Sequence, residues 1–382
     1  MAKDIIIGID AGTSILKVVA FTLNGKEIAS SSIRNIYKTS QNGQATQSLD
    51  TTWKNCIKII SELKNKIKNF KDRVAIIAVT GQGDGTWLID KKGKPVCDAW
   101  LWLDSRSSDI VKKLSKLNSE KLRFDLTGTG IFAGQQSSQI SYMEKNNPEI
   151  LDQSSTAFHC KDWIYFKLTN VRATDPSEAC FTFGNFRTRQ YDENVIDGLG
   201  LSKRKNLLPD IIDGSKVTHP LSDNVAALIG LNSGTPIALG YIDAVCTFLG
   251  SGGLDINKDV GNSILGTTGG HMKATEISQI VPNSNLKSGY VMLLPIENLA
   301  LQFQTNMSGT LNIDWLKFLI KDIFNDFDLN LNDNEFIKKI DKWLTKAKPG
   351  KLIYHPYISE AGERGPFVNT KAKASLIGLR SN

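Results

Sequence analysis

Ile7-Gly8-Ile9-Asp10-Ala11-Gly12-Thr13-Ser14 is entered from the apolar run Ile5–Ile7, and a stretch of the same chemistry recurs far downstream as Ile264-Leu265-Gly266-Thr267-Thr268-Gly269-Gly270. Between them, Leu239-Gly240-Tyr241-Ile242-Asp243-Ala244 delivers a carboxylate shortly before the second loop. A strand that presents an acid and then turns through glycine and hydroxyl residues can set backbone N–H groups around phosphate oxygens, while the acid holds the magnesium that neutralises them. Two such loops facing each other would grip a nucleotide from both sides. Neither is a Walker P-loop, because no GxxxxGK[ST] occurs in the chain.

A chain of 382 residues is too long for one ordinary core and suits two domains. Its 41% hydrophobic and 22% charged content is that of a globular enzyme, and no apolar run approaches membrane-spanning length. The opening Met1-Ala2-Lys3-Asp4 shows no signal-peptide pattern. Cys56, Cys97, Cys160, Cys180 and Cys246 are scattered without CxxC spacing, which reads as reduced thiols in a cytoplasmic protein. The net charge of +7 raises nucleic-acid binding as a class. Its excess lysines, such as Lys64, Lys66, Lys68 and Lys71, sit on polar helix faces without interleaved aromatics, so no nucleic-acid partner is expected.

Residues 4–10, 15–22 and 26–34 read as three strands, the last two joined by an Asn24-Gly25 turn, the strongest short hairpin signal. A helix is predicted from about Thr51 to Phe70, with Asp50 as its N-cap. Val74–Val79 is a further strand, ending in Thr80-Gly81-Gln82-Gly83-Asp84-Gly85. Strand, strand, strand, helix, strand resembles the ribonuclease H-like order of actin- and hexokinase-type proteins. After the glycine-rich stretch 250–261 the plan starts again. Strands are predicted around Ser263, His271 and Tyr290–Pro295, and helices over Leu311–Phe324 and Glu335–Lys346. The expected organisation is an α/β fold of two such domains, residues 1–250 and 251–382, around a cleft, the second domain incomplete.

Gln82 and Asp84 follow a buried strand, at the sheet edge where open α/β sheets bind ligands. Both can hydrogen-bond hydroxyl groups, and Trp87 or Trp102 can form an apolar wall; a solvent-exposed turn would serve the glycines equally. Asp104 and Arg106 are open to a structural ion pair. His159, His219, His271 and His355 have no metal spacing and read as structural.

Together these stretches resemble the FGGY family of carbohydrate kinases. The resemblance runs from Asp10-Ala11-Gly12-Thr13-Ser14 through Trp102, Asp104 and Arg106, Thr174-Asp175-Pro176-Ser177, Asp243 and Gly266-Thr267-Thr268-Gly269 to Gly362-Glu363-Arg364-Gly365-Pro366. Within the family the stretches around Gln82–Trp87, Ala99–Asp104, His159–Trp163, Ala173–Ala179 and Tyr354–Phe367 are similar to those of members that act on erythritol. L-xylulose kinases are similar too, but carry a different residue where Asp84 stands. The family continues past Gly378-Leu379 with helices and a Gly-Gly loop under the adenine. The sequence therefore reads as truncated at its C-terminus, with negligible turnover expected of the chain as it stands.

The resemblance implies ATP-dependent phosphorylation of a terminal hydroxyl of a small polyol, erythritol first, with L-xylulose or another pentulose or polyol as the alternative. Asp243 would be the base. Asp10 and Asp243 would face Mg²⁺, and Gly12, Thr13, Ser14, Gly266, Thr267, Thr268 and Gly269 the ATP phosphates. Gln82, Asp84, Trp102, Asp243, Gln135 and Gln136 are the candidates for the polyol. A non-catalytic polyol- or nucleotide-binding member and a nuclease of the ribonuclease H-like fold are the other classes. The nuclease reading needs more carboxylates around Asp10 than Asp243 alone. An unfinished sheet leaves homodimerisation open.

Overall fold

The computed structural model describes residues 3–255, 260–329, 332–346, 348–360, 362–369 and 371–379. Part of the glycine-rich stretch 250–261, and the residues around Asn382, therefore lie outside the described residues. Ile5–Ala11 is a strand because its apolar residues alternate. Ile5, Ile7, Ile9 and Ala11 are buried on one face, which leaves Asp10 on the other. It pairs antiparallel with Ile15–Thr22 and parallel with Val74–Gly81. The complete sheet runs His219–Pro220, Pro236–Leu239, Val74–Gly81, Ile5–Ala11, Ile15–Thr22, Glu27–Arg34.

The Asn24-Gly25 hairpin forms as the sequence predicts, with Gly25 at φ +84° and Thr22 N–H donating to the Lys26 carbonyl at 2.9 Å. The helix that follows spans Leu49–Lys66 and ends sooner than expected. Its cap is Ser48, whose side chain accepts from Thr51 N–H, and Asp50 lies inside the first turn. Thr52, Cys56, Ile59, Ile60 and Leu63 form the buried stripe that seats it on the sheet.

The second half holds a four-stranded antiparallel sheet in the order Asn262–Leu265, Gly269–Glu276, Leu299–Asn306, Tyr290–Leu293. Leu299–Asn306 was not among the expected strands, yet it is paired on both sides. Helices Leu311–Asp326 and Asp333–Leu344 follow. The two halves share one device. A strand is followed by a three-residue hairpin tip, Gly12–Ser14 in one and Gly266–Thr268 in the other, and then by an antiparallel partner. They differ at the next position. Ile5–Ala11 has a parallel neighbour, whereas Asn262–Leu265 forms the sheet edge among the described residues, with Leu265 65% exposed. No helix among the described residues is long and apolar enough to cross a membrane.

Candidate active site

The ends of these strands converge on a cavity of about 450 Å³. Asp10 and Thr13 reach it from the first hairpin, Gly83 and Asp84 from the turn after Val74–Gly81, and Thr268, Gly269 and Gly270 from the second hairpin. Asp243, Ala244 and Thr247 enter on helix Asp243–Gly250, which begins just after strand Pro236–Leu239. The sequence-predicted pair of loops thus does face one cavity, with Asp243 among them.

Asp243 heads its helix, so the backbone N–H of Ala244 favours its charged form. Burial works the other way, aided by the charge of Asp10, and the Asp243 carboxyl is pushed up to about 7. Burial also raises Asp10, against the pull of Lys17. Two carboxyls of raised proton affinity, the charge of Asp10 acting on Asp243, are a fit for a hard cation, which takes oxygen ligands. Magnesium in particular binds through one or two carboxylates plus substrate phosphates. The described residues contain no cluster of three or more His, Cys, Asp or Glu that could form an all-protein metal cage.

Asp84 is the third acid of the cavity. It sits in the left-handed region at φ +54°, followed by Gly85 at +73°. The residue is buried, and its Oδ1 has no hydrogen-bond partner. Burial, with the charge of Asp243 added, holds its carboxyl well above the usual range. A buried oxygen left unpaired at a cavity wall is a place for a ligand hydroxyl.

The other polyol candidates separate. Trp102 lines the cavity, 41% exposed, and its Nε1–H donates to Thr13 Oγ1 at 2.9 Å. Gln82 does not line it. It stands behind Thr13, accepting the Thr13 hydroxyl at 2.9 Å and donating to Gln47 Oε1 at 3.2 Å. Gln135 and Gln136 are buried beside the site, outside the cavity lining. Gln135 donates to the Phe181 carbonyl, and Gln136 to the Phe158 and Gly85 carbonyls. Gln135 and Gln136 brace backbone, and Gln82 braces the Thr13 and Gln47 side chains. Trp87 is fully buried in the core; the apolar wall comes from Phe132, Phe181 and Tyr290, whose ring centroids lie 5.5 to 6.4 Å apart. Gly12, Ser14, Gly266 and Thr267 occupy the hairpin tips without lining the cavity. Asp104 and Arg106 form the structural pair, 2.7 Å apart, with the guanidinium stacked on Trp100.

The sequence marks Arg364 only as part of the Gly362–Pro366 segment, not as a site residue. Arg364 lines the same cavity as the three acids, and its buried Nε has no hydrogen-bond partner. Buried Glu363 holds the turn that carries it, accepting from Met307 N–H at 2.9 Å and Arg364 N–H at 2.8 Å.

With this geometry in place, comparison with known proteins is decisive. Residues 5–250 match the FGGY family of carbohydrate kinases, N-terminal domain. The chain belongs to the FGGY family of carbohydrate kinases. It is 51% identical over 378 residues to erythritol kinase of Brucella abortus (strain 2308), a match that covers 99% of this chain and 72% of that protein. It is 26% identical over 262 residues to the L-xylulose/3-keto-L-gulonate kinase of Escherichia coli (strain K12), covering 68% of this chain and 52% of that protein. Among solved structures, a ligand-bound xylulose kinase from Lactobacillus acidophilus superposes on all of this chain and 73% of its own, with a TM-score of 0.83 at 24% identity. That likeness supports the two-domain actin/hexokinase-like α/β fold.

Proposed function

We propose that this FGGY kinase transfers the γ-phosphoryl group of ATP to a terminal hydroxyl of a short linear polyol, erythritol first. The observation that carries the reading is Asp243. It is a carboxylate at a helix head, facing a cavity shared by both hairpin tips, with its proton affinity raised to about 7. A general base works best with a pKa near the working pH. Asp243 accepts the proton of the attacking hydroxyl as the new oxygen–phosphorus bond forms. The bond from the γ-phosphorus to the β–γ bridging oxygen breaks, and ADP leaves with that oxygen.

Asp84 and Trp102 bind and orient the polyol, and the apolar wall of Phe132, Phe181 and Tyr290 backs its carbon chain. Thr268 and Gly269, with Thr13 across the cavity, face the nucleotide phosphates. Asp10, with Asp243 in reach, would hold Mg²⁺, which supplies charge neutralisation for the phosphoryl oxygens. Such chemistry depends on positioning and electrostatics rather than on a covalent intermediate. Support for erythritol over a pentulose comes from the 51% identity to the Brucella erythritol kinase, twice that to the L-xylulose/3-keto-L-gulonate kinase.

The test is erythritol-dependent ADP release from ATP–Mg²⁺, with the chain extended by the C-terminal region of the Brucella relative. Asp243→Asn should lower turnover by roughly 10²–10⁴-fold, the scale of a lost general base, and leave polyol affinity much less changed. Near-normal turnover in the variant would remove Asp243 from the reaction.

A further inference from the structure

Behind the cavity lies a set of buried charges that the reaction does not use. Helix Pro176–Thr182 carries Glu178, which is fully buried. Its Oε2 accepts the backbone N–H of Asp84 at 3.4 Å and lies 3.5 Å from His159 Nε2. Its Oε1 has no hydrogen-bond partner. The His159 ring is fixed in turn by Asp162, whose Oδ2 is 3.1 Å from Nδ1 and takes the His159 backbone N–H at 3.0 Å. Lys161, also fully buried, ties Asp162 to Asp175 at 2.5 and 2.6 Å. Asp175 accepts the Ser177 hydroxyl, and Ser177 Oγ accepts Ile242 N–H at 3.1 Å, one residue before Asp243.

Asp84 is the point where this set meets the cavity. A non-glycine residue at φ +54° is held against its own backbone preference. Glycine at position 83 lets the turn close on the helix, since a Cβ there would lie 2.0 Å from Ile242 Cδ1 and 3.1 Å from Glu178 Oε1. The Glu178 acceptor is thus the side-chain contact on the Asp84 N–H, from an element that packs directly beneath the turn.

We infer that Glu178, oriented by His159, is a positioning residue for polyol recognition: it holds the Asp84 turn so that the unpaired carboxylate oxygen faces the cavity. This rests on the reading of Asp84 as a polyol ligand. Burial pushes the Glu178 carboxyl up to about 8, so near neutral pH it is the neutral acid that glutamine imitates.

The experiment is calorimetric titration of erythritol into the 382-residue chain and its variants, with circular dichroism as the folding control. Glu178→Ala removes the acceptor and should weaken erythritol binding by roughly tenfold to a hundredfold, the scale of a lost buried hydrogen bond at a ligand site. Glu178→Gln keeps an acceptor for Asp84 N–H and should stay within about threefold of the parent. If the alanine variant fails to fold, Glu178→Asp withdraws the acceptor from the Asp84 N–H while keeping a carboxyl group on the helix, and carries the alanine expectation. A merely structural Glu178 would lower the melting temperature in both the alanine and glutamine variants without separating their erythritol affinities. Unchanged affinity in folded Glu178→Ala, alongside lost affinity in Asp84→Ala, overturns the positioning role. Unchanged affinity in both alanine variants overturns the Asp84 reading itself.

Discussion

Replacing Asp243 with Asn should make the protein more stable while it removes the base. Burial and Asp10 raise the carboxyl from its ordinary 3.8 to about 7. The folded state therefore binds this proton more tightly than the unfolded chain does. As pH rises from about 4 to about 7 the unfolded chain has already released the proton and the folded protein still holds it, so stability falls with pH over that window. Above pH 7 the full cost of carrying the charge is present. A shift of that size corresponds to about 4 kcal/mol at most. Asp243 is only partly buried and faces a solvent-accessible cavity, so a gain of about 1–3 kcal/mol for Asp243→Asn at pH 8 is the reasonable expectation. Below pH 4 the gain should vanish, because both states are then protonated. The assay is urea denaturation of the 382-residue chain and its variant at a series of pH values, without magnesium. A variant less stable than the parent at pH 8, or a difference that does not change with pH, would refute the electrostatic reading of this site.

Two more substitutions separate the roles of the cavity residues. Asp84→Ala should cost about 1–3 kcal/mol of polyol binding, read by calorimetry, with nucleotide binding little changed, because only the polyol loses its buried partner. Thr13→Ala strips Trp102 Nε1 of its acceptor and Gln82 Oε1 of its donor. It should cost about 1–2 kcal/mol of stability by denaturant titration, while Thr13→Ser restores most of it.

The sheet before residue 100 was legible because its signals are local. Ile5–Ala11 alternates, Asn24-Gly25 turns, and Cys56, Ile59, Ile60 and Leu63 fall on one helix face. The helix cap was misplaced because Ser48 and Asp50 are both good capping residues, and only the path of the chain decides between them. Leu299–Asn306 carries an alternation in Leu301-Gln302-Phe303-Gln304-Thr305, but it is short and its glutamines and threonine dilute the apolar signal.

At the site, the residues on hairpin tips and strand ends could be named from motif chemistry. The glutamines could not be assigned, since Gln82, Gln135 and Gln136 offer the same amide to a ligand or to backbone. Burial sends all three toward protein partners. The Phe132, Phe181 and Tyr290 wall comes together only through long-range packing, and no local pattern marks it; Arg364 lies in the Gly362–Pro366 segment, whose pattern marks the stretch but not which of its side chains reaches the cavity.

The most direct measurement is the affinity of the 382-residue chain for erythritol set against L-xylulose, by calorimetry, with Asp84→Ala titrated in parallel. If Asp84 and Asp243 form a polyol site, erythritol binds one to one and more tightly than L-xylulose, and the Asp84→Ala variant loses roughly tenfold or more of that affinity. Tighter binding of L-xylulose, or erythritol binding that survives Asp84→Ala intact, would contradict it.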